Sequence, residues 1–242
     1  MIGTLLQGED RSRYVRTMFT RIAPHYDRMN RLMTFGQDQR WRKETIQRAN
    51  LTPQGRLLDI GAGTGDLSKE ARRHHPSSQI TAVDFTLAMM VAGSQLPQAK
   101  TIHWSGADAL HLPFEDNLFD AVVSGFLLRN VSDLPGVLSE QFRVLKQGGR
   151  FVALDTTRPR RTIISPLVKL YLHTIIPHLG QWLAGDSEAY TYLPDSTENF
   201  LEAETLAAQI SAVGFQQVGF QRKMFGSVAI HWGTKPNGSV MK

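Results

Sequence analysis

Three glycines at alternate positions, Gly61, Gly63 and Gly65, follow directly on the apolar run Leu57-Leu58-Asp59-Ile60, and an acidic residue, Asp84, stands about twenty positions further on. Glycine takes up positive φ without steric cost, so such a run lets a chain turn sharply after a strand and approach a ligand closely. The helix expected next offers unpaired N–H groups at its start. A nucleotide-like cofactor is what this arrangement serves. The spacing departs from the G-x-G-x-x-G of dinucleotide sites, where the third glycine lets helix and strand pack beneath a pyrophosphate. Asp59 and Asp66 flank the loop, and two carboxylates there repel a pyrophosphate and attract a cation. S-adenosylmethionine has a cationic amino-acid end, and its ribose diol suits Asp84 as a bidentate acceptor.

A second cluster lies in Ser105-Gly106-Ala107-Asp108-Ala109. An adenine amino edge needs one acceptor and one donor, and Asp108 with the Ala109 N–H would supply them. The plainer alternative is that Asp108 caps a turn. Phe85, next to Asp84, either lies along the purine or belongs to the core. The histidines at 74, 75, 103, 111, 173 and 178 lack a metal-ligand spacing, and no metal is proposed.

The elements that must position these groups follow from periodicity. Residues 11–50 carry apolar positions at helical spacing (Val15, Phe19, Ile22, then Met29, Leu32, Met33) broken at Pro24, which predicts a helical N-terminal cap. Strands are expected near 56–60, 79–84, 100–104, 119–124 and 149–155, with helices near 66–75, 86–93 and 134–145. That alternation predicts an α/β fold, a doubly wound and mostly parallel sheet with right-handed crossovers and ligand at the carboxyl ends of its strands. An apolar stretch at 162–200, punctuated by Pro166 and Pro177, reads as a helical insert or lid. A last helix near 203–213 stops at Gly214, and strands near 215–222 and 226–232 would close the sheet as an antiparallel hairpin. Residues 234–242 read as a loose tail, and the whole as a single domain.

The chain has 242 residues and no cysteine, which excludes disulfides and thiolate metal sites. No apolar run approaches the roughly 20 residues of a membrane span, and no signal peptide is legible, so a cytoplasmic protein is expected. The formal charge is +5, with one dense basic cluster at Arg158-Pro159-Arg160-Arg161. Peripheral contact with an anionic membrane face is one expectation from that cluster; a solvated basic surface is the other. Nucleic acid is not an expected partner, because no dense basic stripe is interleaved with aromatics. A homodimer is allowed, though no residue argues for it.

Longer motifs carry a resemblance. Tyr26-Asp27-Arg28-Met29-Asn30 continuing to Trp41, Leu128-Arg129-Asn130-Val131, Arg143 through Arg150, Tyr190-Thr191-Tyr192-Leu193 and Ala229-Ile230-His231-Trp232-Gly233 together resemble the ubiquinone/menaquinone biosynthesis C-methyltransferase family over nearly the whole chain. The resemblance implies a class I S-adenosylmethionine-dependent methyltransferase fold, Rossmann-like, and methyl transfer to a ring carbon of a polyprenylated quinol, demethylmenaquinol foremost. It carries cofactor contacts onto Thr64, Asp84, Asp108, Ala109 and Gly125, the last where the family has serine. Asp38 stands where the family has histidine, and Asp155 and Thr157 where it has glutamate and serine or threonine. Arg129, just beyond strand four, is expected beside the reacting methyl, stabilising a phenolate, with Asn130 orienting a ring oxygen or water. Tyr26, Asp27, Asn30, Tyr190 and His231 are candidates for the acceptor pocket, each with a packing or capping role as its alternative. Another small or lipid acceptor, or a cofactor-binding scaffold without catalysis, remains open at this stage.

Overall fold

The computed structural model describes residues 8–158, 174, 192 and 195–238. Its centre is a sheet of strands β1 (Arg56–Ile60), β2 (Gln79–Asp84), β3 (His103–Gly106), β4 (Phe119–Gly125), β5 (Leu145–Thr156), β6 (Gln216–Lys223) and β7 (Val228–Thr234), in the order β3-β2-β1-β4-β5-β7-β6. The first five pair in parallel; β7 runs antiparallel to both β5 and β6. β1 shows why the centre is parallel: Leu57, Leu58 and Ile60 are all buried, and a run that is apolar on both faces needs cover on both. One core packs Leu57, Ile80, Val123 and Val152 against one face, and another packs Leu58, Val122, Phe151 and Leu138 against the other.

Helices α4 (Asp66–His74), α5 (Leu87–Ser94), α6 (Leu134–Val144) and α7 (Ala203–Ala212) connect or flank the strands, and α1 (Gly8–Ile22), α2 (Tyr26–Met33) and α3 (Gln37–Ala49) form the N-terminal cap. The cap has a small core of its own, with Val15, Met18, Ile22, Met29, Met33 and Tyr192. α6 starts on Asp133, whose carboxylate accepts the Gly136 N–H at 3.0 Å. α7 ends before Gly214 at φ 115°.

Outside 162–200 the expected strands and helices are present, with shifted edges. β3 begins at His103 rather than near 100, because Pro97–Ala99 forms a helical turn and Ile102 goes into the core before the ladder starts at Thr81↔His103. β5 begins at Leu145, four residues early, through an irregularity in its pairing with β4 that Gly148, at φ 74°, accommodates. β7 runs to Thr234, and the segment after it is not a loose tail through Lys235. The Lys235 ammonium donates to the Phe142 and Leu145 carbonyls at 2.8 Å, closing the C-terminal end of α6. Most of the expected insert at 162–200, with Tyr190, Arg160 and Arg161, lies outside the described residues.

Candidate active site

The strand order reverses between β1 and β4, and the chemistry-bearing residues gather at the carboxyl ends of these two strands and their neighbours. Gly61, Gly63 and Gly65 have φ of 65°, 58° and 80°. At Gly61 a Cβ would stand 2.7 Å from the Leu127 side chain, and the positive φ would strain any other residue there. Gly65 differs in role: it precedes α4, and a Cβ there would strike the Trp104 ring at 2.4 Å, so it serves packing rather than a ligand.

Two clefts meet at the loop. The first, about 380 Å³ and partly open to solvent, is lined by Tyr26, Arg42, Asp59, Asp66 and Gly125, among others. Its electrostatics centre on Asp59. One oxygen, Oδ2, accepts the Ser68 N–H at 3.0 Å and hydroxyl at 2.7 Å, while Oδ1 is buried with no hydrogen-bond partner. Burial, against the pull of the Ser68 donors, pushes this carboxyl up to about 7. An unpartnered buried carboxylate oxygen facing a cleft is satisfied by a cationic donor.

The second cleft, about 450 Å³, is more apolar, with Val15, Phe19, Phe85, Met89, Phe126 and Leu127 in its wall beside Asp84 and Asn130. Asp84 is anchored by backbone donors on both oxygens, Gly63 N–H at 2.8 Å on Oδ2 and Thr86 N–H at 2.7 Å on Oδ1. Burial raises its carboxyl above the ordinary range, and the Thr86 and Gly63 donors offset part of that rise. Tyr26, Gly61, Gly63, Gly125 and Phe126 line both clefts. Phe126 sits at φ 59°, an unusual conformation for an aromatic residue, fixed by its N–H donating to the Leu154 carbonyl at 2.7 Å.

Not every expected residue faces these clefts. Arg129 does not line either of them. It is 4 % exposed, on the helical turn Leu128–Asn130, with Nη1 on the Asp155 carboxylate at 2.8 Å. Asp155 also accepts the Leu128 N–H at 2.7 Å, so a carboxylate at the end of β5 fixes the whole turn. Arg129 nevertheless lies close enough to Tyr26 to favour its ionised form. Burial raises the Tyr26 phenol more than Arg129, Asn30 and Arg42 lower it, and the hydroxyl stays protonated. Asn130 does line the second cleft; its Oδ1 accepts from the Tyr192 hydroxyl at 3.1 Å and its amide donates to the Phe126 carbonyl at 3.1 Å.

Asp27 faces the glycine loop instead of an acceptor: it accepts the Thr64 hydroxyl at 2.7 Å and lies 3.9 Å from Lys69, tying the cap to the loop. Thr64 is thereby engaged through its side chain. Asn30 is buried beside Tyr26 and lines neither cleft. Asp108 is exposed beyond β3 with Oδ1 accepting the Leu110 N–H at 2.9 Å, and neither it nor Ala109 lines the two clefts. Asp38, in the place of the family's histidine, is 2 % exposed; it accepts the Thr34 hydroxyl at 3.0 Å and faces Arg42. It belongs to the cap's own framework and not to a mouth. Gly125 lines both clefts, and a side chain there would come within 3.0 Å of Leu67. The adjacent Ser124 hydroxyl is buried without a partner and lines neither cleft.

His231 lies in neither cleft and takes the packing role that was its alternative. It is fully buried in β7, opposite Ala153, its Nε2 3.0 Å from the Ala203 carbonyl and its ring 5.5 Å from that of Phe220. Because β7 runs against β5, the end of β7 near the site is Val228, and His231 lies deeper, under α7. Conversely Arg42, Phe126 and Met89 line the clefts without having been singled out; an arginine directly after the cap tryptophan, Trp41, was the one available signal.

The sequence profile of the ubiE/COQ5 methyltransferase family matches residues 7–235. The chain belongs to this family. A ubiquinone/menaquinone biosynthesis C-methyltransferase UbiE of Desulfotalea psychrophila is 45% identical to it over 221 residues, spanning 91% of this chain and 90% of the relative. A demethylmenaquinone methyltransferase of Roseiflexus sp. (strain RS-1) is 40% identical over 236 residues, 97% of this chain and 99% of that one. Among solved structures, a Haemonchus contortus phosphoethanolamine N-methyltransferase 2 in complex with S-adenosyl-L-methionine superposes with a TM-score of 0.61 at 16% identity, covering 82% of this chain and 53% of that chain. That likeness concerns the fold alone. The ubiE/COQ5 chain described here is thus a methyltransferase with a class I sheet.

Proposed function

We propose that this chain binds S-adenosylmethionine and methylates a ring carbon of a polyprenylated quinol, demethylmenaquinol ahead of a benzoquinol. The observation that carries this reading is the meeting of two unlike clefts across one wall. The first ends in an unpartnered carboxylate oxygen suited to an ammonium; the second is apolar, with a doubly anchored Asp84 suited to a ribose. Asp59 would hold the amino-acid end, Asp84 the ribose hydroxyls, Asp108 and Ala109 the adenine, with Phe85 and Met89 along the nucleoside. The names of the two relatives, both quinone-pathway methyltransferases, support the acceptor class.

When bound, the cofactor supplies a methyl group already activated on a sulfonium. What the protein must add is alignment, worth roughly 7–11 kcal/mol in favourable cases, exclusion of water, and stabilisation of the charge that grows on the acceptor's oxygen. Tyr26 stays protonated and so donates a hydrogen bond to that oxygen instead of taking a proton from it. Asn130, fixed by Tyr192, orients the ring. Arg129 acts from behind Tyr26 as a fixed positive charge, held by Asp155. An arginine remains protonated, so the phenolic proton leaves to water; once the ring carbon carries the methyl, the hydrogen it held leaves as a proton and the oxygen is reprotonated, so that one proton is released overall.

A purified sample, methyl-labelled S-adenosylmethionine and reduced demethylmenaquinone or its benzoquinol counterpart in micelles test the reading. Label on the naphthoquinol ring carbon is the expected result. Saturable cofactor binding with no transfer to either quinol would overturn the acceptor and leave another small or lipid substrate. The same reading implies work at a bilayer surface, where a polyprenylated acceptor resides.

A further inference from the structure

We propose that Arg42 binds the carboxylate of the cofactor's α-amino-acid end while Asp59 binds its ammonium, so that the first cleft is a site for a zwitterion; this rests on the S-adenosylmethionine reading above. Both side chains line the same cleft, and each is unsatisfied in a complementary way. Asp59 Oδ1 is a buried acceptor with no donor, and Arg42 Nε is a buried donor with no acceptor. Asp59 is 1 % exposed and Arg42 7 %, so water does not resolve either deficit cheaply. One ligand end that carries both a positive donor group and a negative acceptor group satisfies the two together. An α-amino acid is such an end, and the planar guanidinium fork matches a carboxylate.

The charges around Arg42 allow the exchange. Arg42 Nη1 is paired with Asp66, and its Nε lies 3.6 Å from Asp38, beyond hydrogen-bond reach. Asp66, which also faces the cleft, has a second cation in Lys69 at 2.6 Å. A ligand carboxylate that draws the guanidinium partly away therefore leaves no bare anion behind. Tyr26, a donor in the same cleft, stands near enough to Arg42 to feel its charge. The rival role for Arg42 is a tether between α3 and α4 through Asp66. A tether is indifferent to whether the ligand has a carboxylate, and this separates the two.

Calorimetric binding of S-adenosylmethionine and of decarboxylated S-adenosylmethionine to the full chain decides it. The acidic neighbours Asp27, Asp38 and Asp66 would by themselves favour the decarboxylated compound, which carries more positive charge, so a preference for the parent compound is the mark of a directed carboxylate partner. The expected preference of the unaltered protein is roughly 10- to 100-fold, the loss of one or two charge-assisted hydrogen bonds. In Arg42→Gln the two affinities should converge, with that for the decarboxylated compound changing by less than about threefold. Equal affinities in the unaltered protein, or a preference that survives Arg42→Gln, would overturn the proposal while the cofactor reading stands. Binding of neither compound would overturn both. Should Arg42→Gln fail to fold, Arg42→Lys, which keeps the charge and loses the planar fork, takes its place: the preference should shrink several-fold, and a preference left undiminished would overturn the proposal.

Discussion

Burial holds the Asp59 carboxyl up to about 7, against the donors of Ser68, and the Asp84 carboxylate nearby pushes the same way. The sign of the consequence differs for ligand and for fold. An ammonium binds the ionised carboxylate, so affinity for S-adenosylhomocysteine should fall as the pH is lowered from about 8 to about 6, steepening towards tenfold per unit below the transition. The ligand-free fold behaves oppositely: native Asp59 keeps a proton that an unfolded carboxyl, ionising near about 3.9, has given up, and its contribution to stability is lost as the pH rises through 7. Asp59→Asn preserves the acceptor for Ser68 and should remove the pH step in binding while lowering affinity at about pH 8; a titration whose step survives the substitution would assign it elsewhere. Asp59 and Asp84 were legible as site residues because their spacing from the glycines is set by one strand and one crossover. Arg42 and Phe126 were not, since they reach the cleft from the cap and from a turn whose path no local pattern encodes. Which of its two roles His231 takes was not legible, because alternation along a strand tells which side chains share a face and not which end of the strand meets the ligand.

At the scale of elements, the turn after β4 depends on the end of β5. Asp155, 1 % exposed, pairs with Arg129 and accepts the Leu128 N–H, and Arg129 has no other carboxylate partner in the described residues. Asp155→Ala leaves a buried guanidinium unpaired and should cost about 3–5 kcal/mol in urea unfolding. Asp155→Glu, which restores the residue that the resemblance leads one to expect here, should recover most of that loss and most of the turnover. If Ala and Glu variants unfold alike, the carboxylate is not what holds the turn. A second junction, Asp27 on Thr64, ties α2 to the glycine loop. The helices of the cap were readable from their periodicity and from Pro24; this junction was not, because it joins residues 37 positions apart through single side-chain atoms. The early start of β5 escaped for a related reason: Lys146-Gln147-Gly148-Gly149 reads as a turn, and pairing with β4 nonetheless runs past it to Leu145.

For the molecule as a whole, the doubly wound, mostly parallel sheet and its final hairpin were legible because alternation of strand and helix leaves few topologies open. The charge distribution tells more than the total did. Residues 8–50 contain ten arginines and lysines against five aspartates and glutamates, a surplus equal to the chain's whole formal charge of +5. Arg16, Arg28, Arg31 and Lys43 are exposed there, as are Leu32 at 40% and Phe35 at 73%. Arg158 is exposed too, but it stands outside this surplus, and its Nε donates to the Glu198 carbonyl at 3.0 Å. Contact with an anionic bilayer is therefore expected through the cap. Vesicles containing anionic phospholipid should sediment the protein at low salt and release it near about 0.15 M, where the screening length is about 8 Å. Arg28→Gln with Arg31→Gln should weaken that binding several-fold and Arg158→Gln should not; the reverse ranking would return the contact to the cluster first read from the sequence.

The order β5-β7-β6 also has a consequence in time. β7 is made after β6 yet must enter between β6 and the rest of the sheet, so during synthesis at about 5–20 residues per second β5 waits with one edge uncovered until Thr234 has been added. Because β7 supplies partners to both neighbours, β6 joins the sheet only with it. A nascent chain stalled anywhere before Val228 would present the bare edge of Phe151-Val152-Ala153-Leu154 to other chains, and ribosome-bound chaperones should be needed most in that last interval.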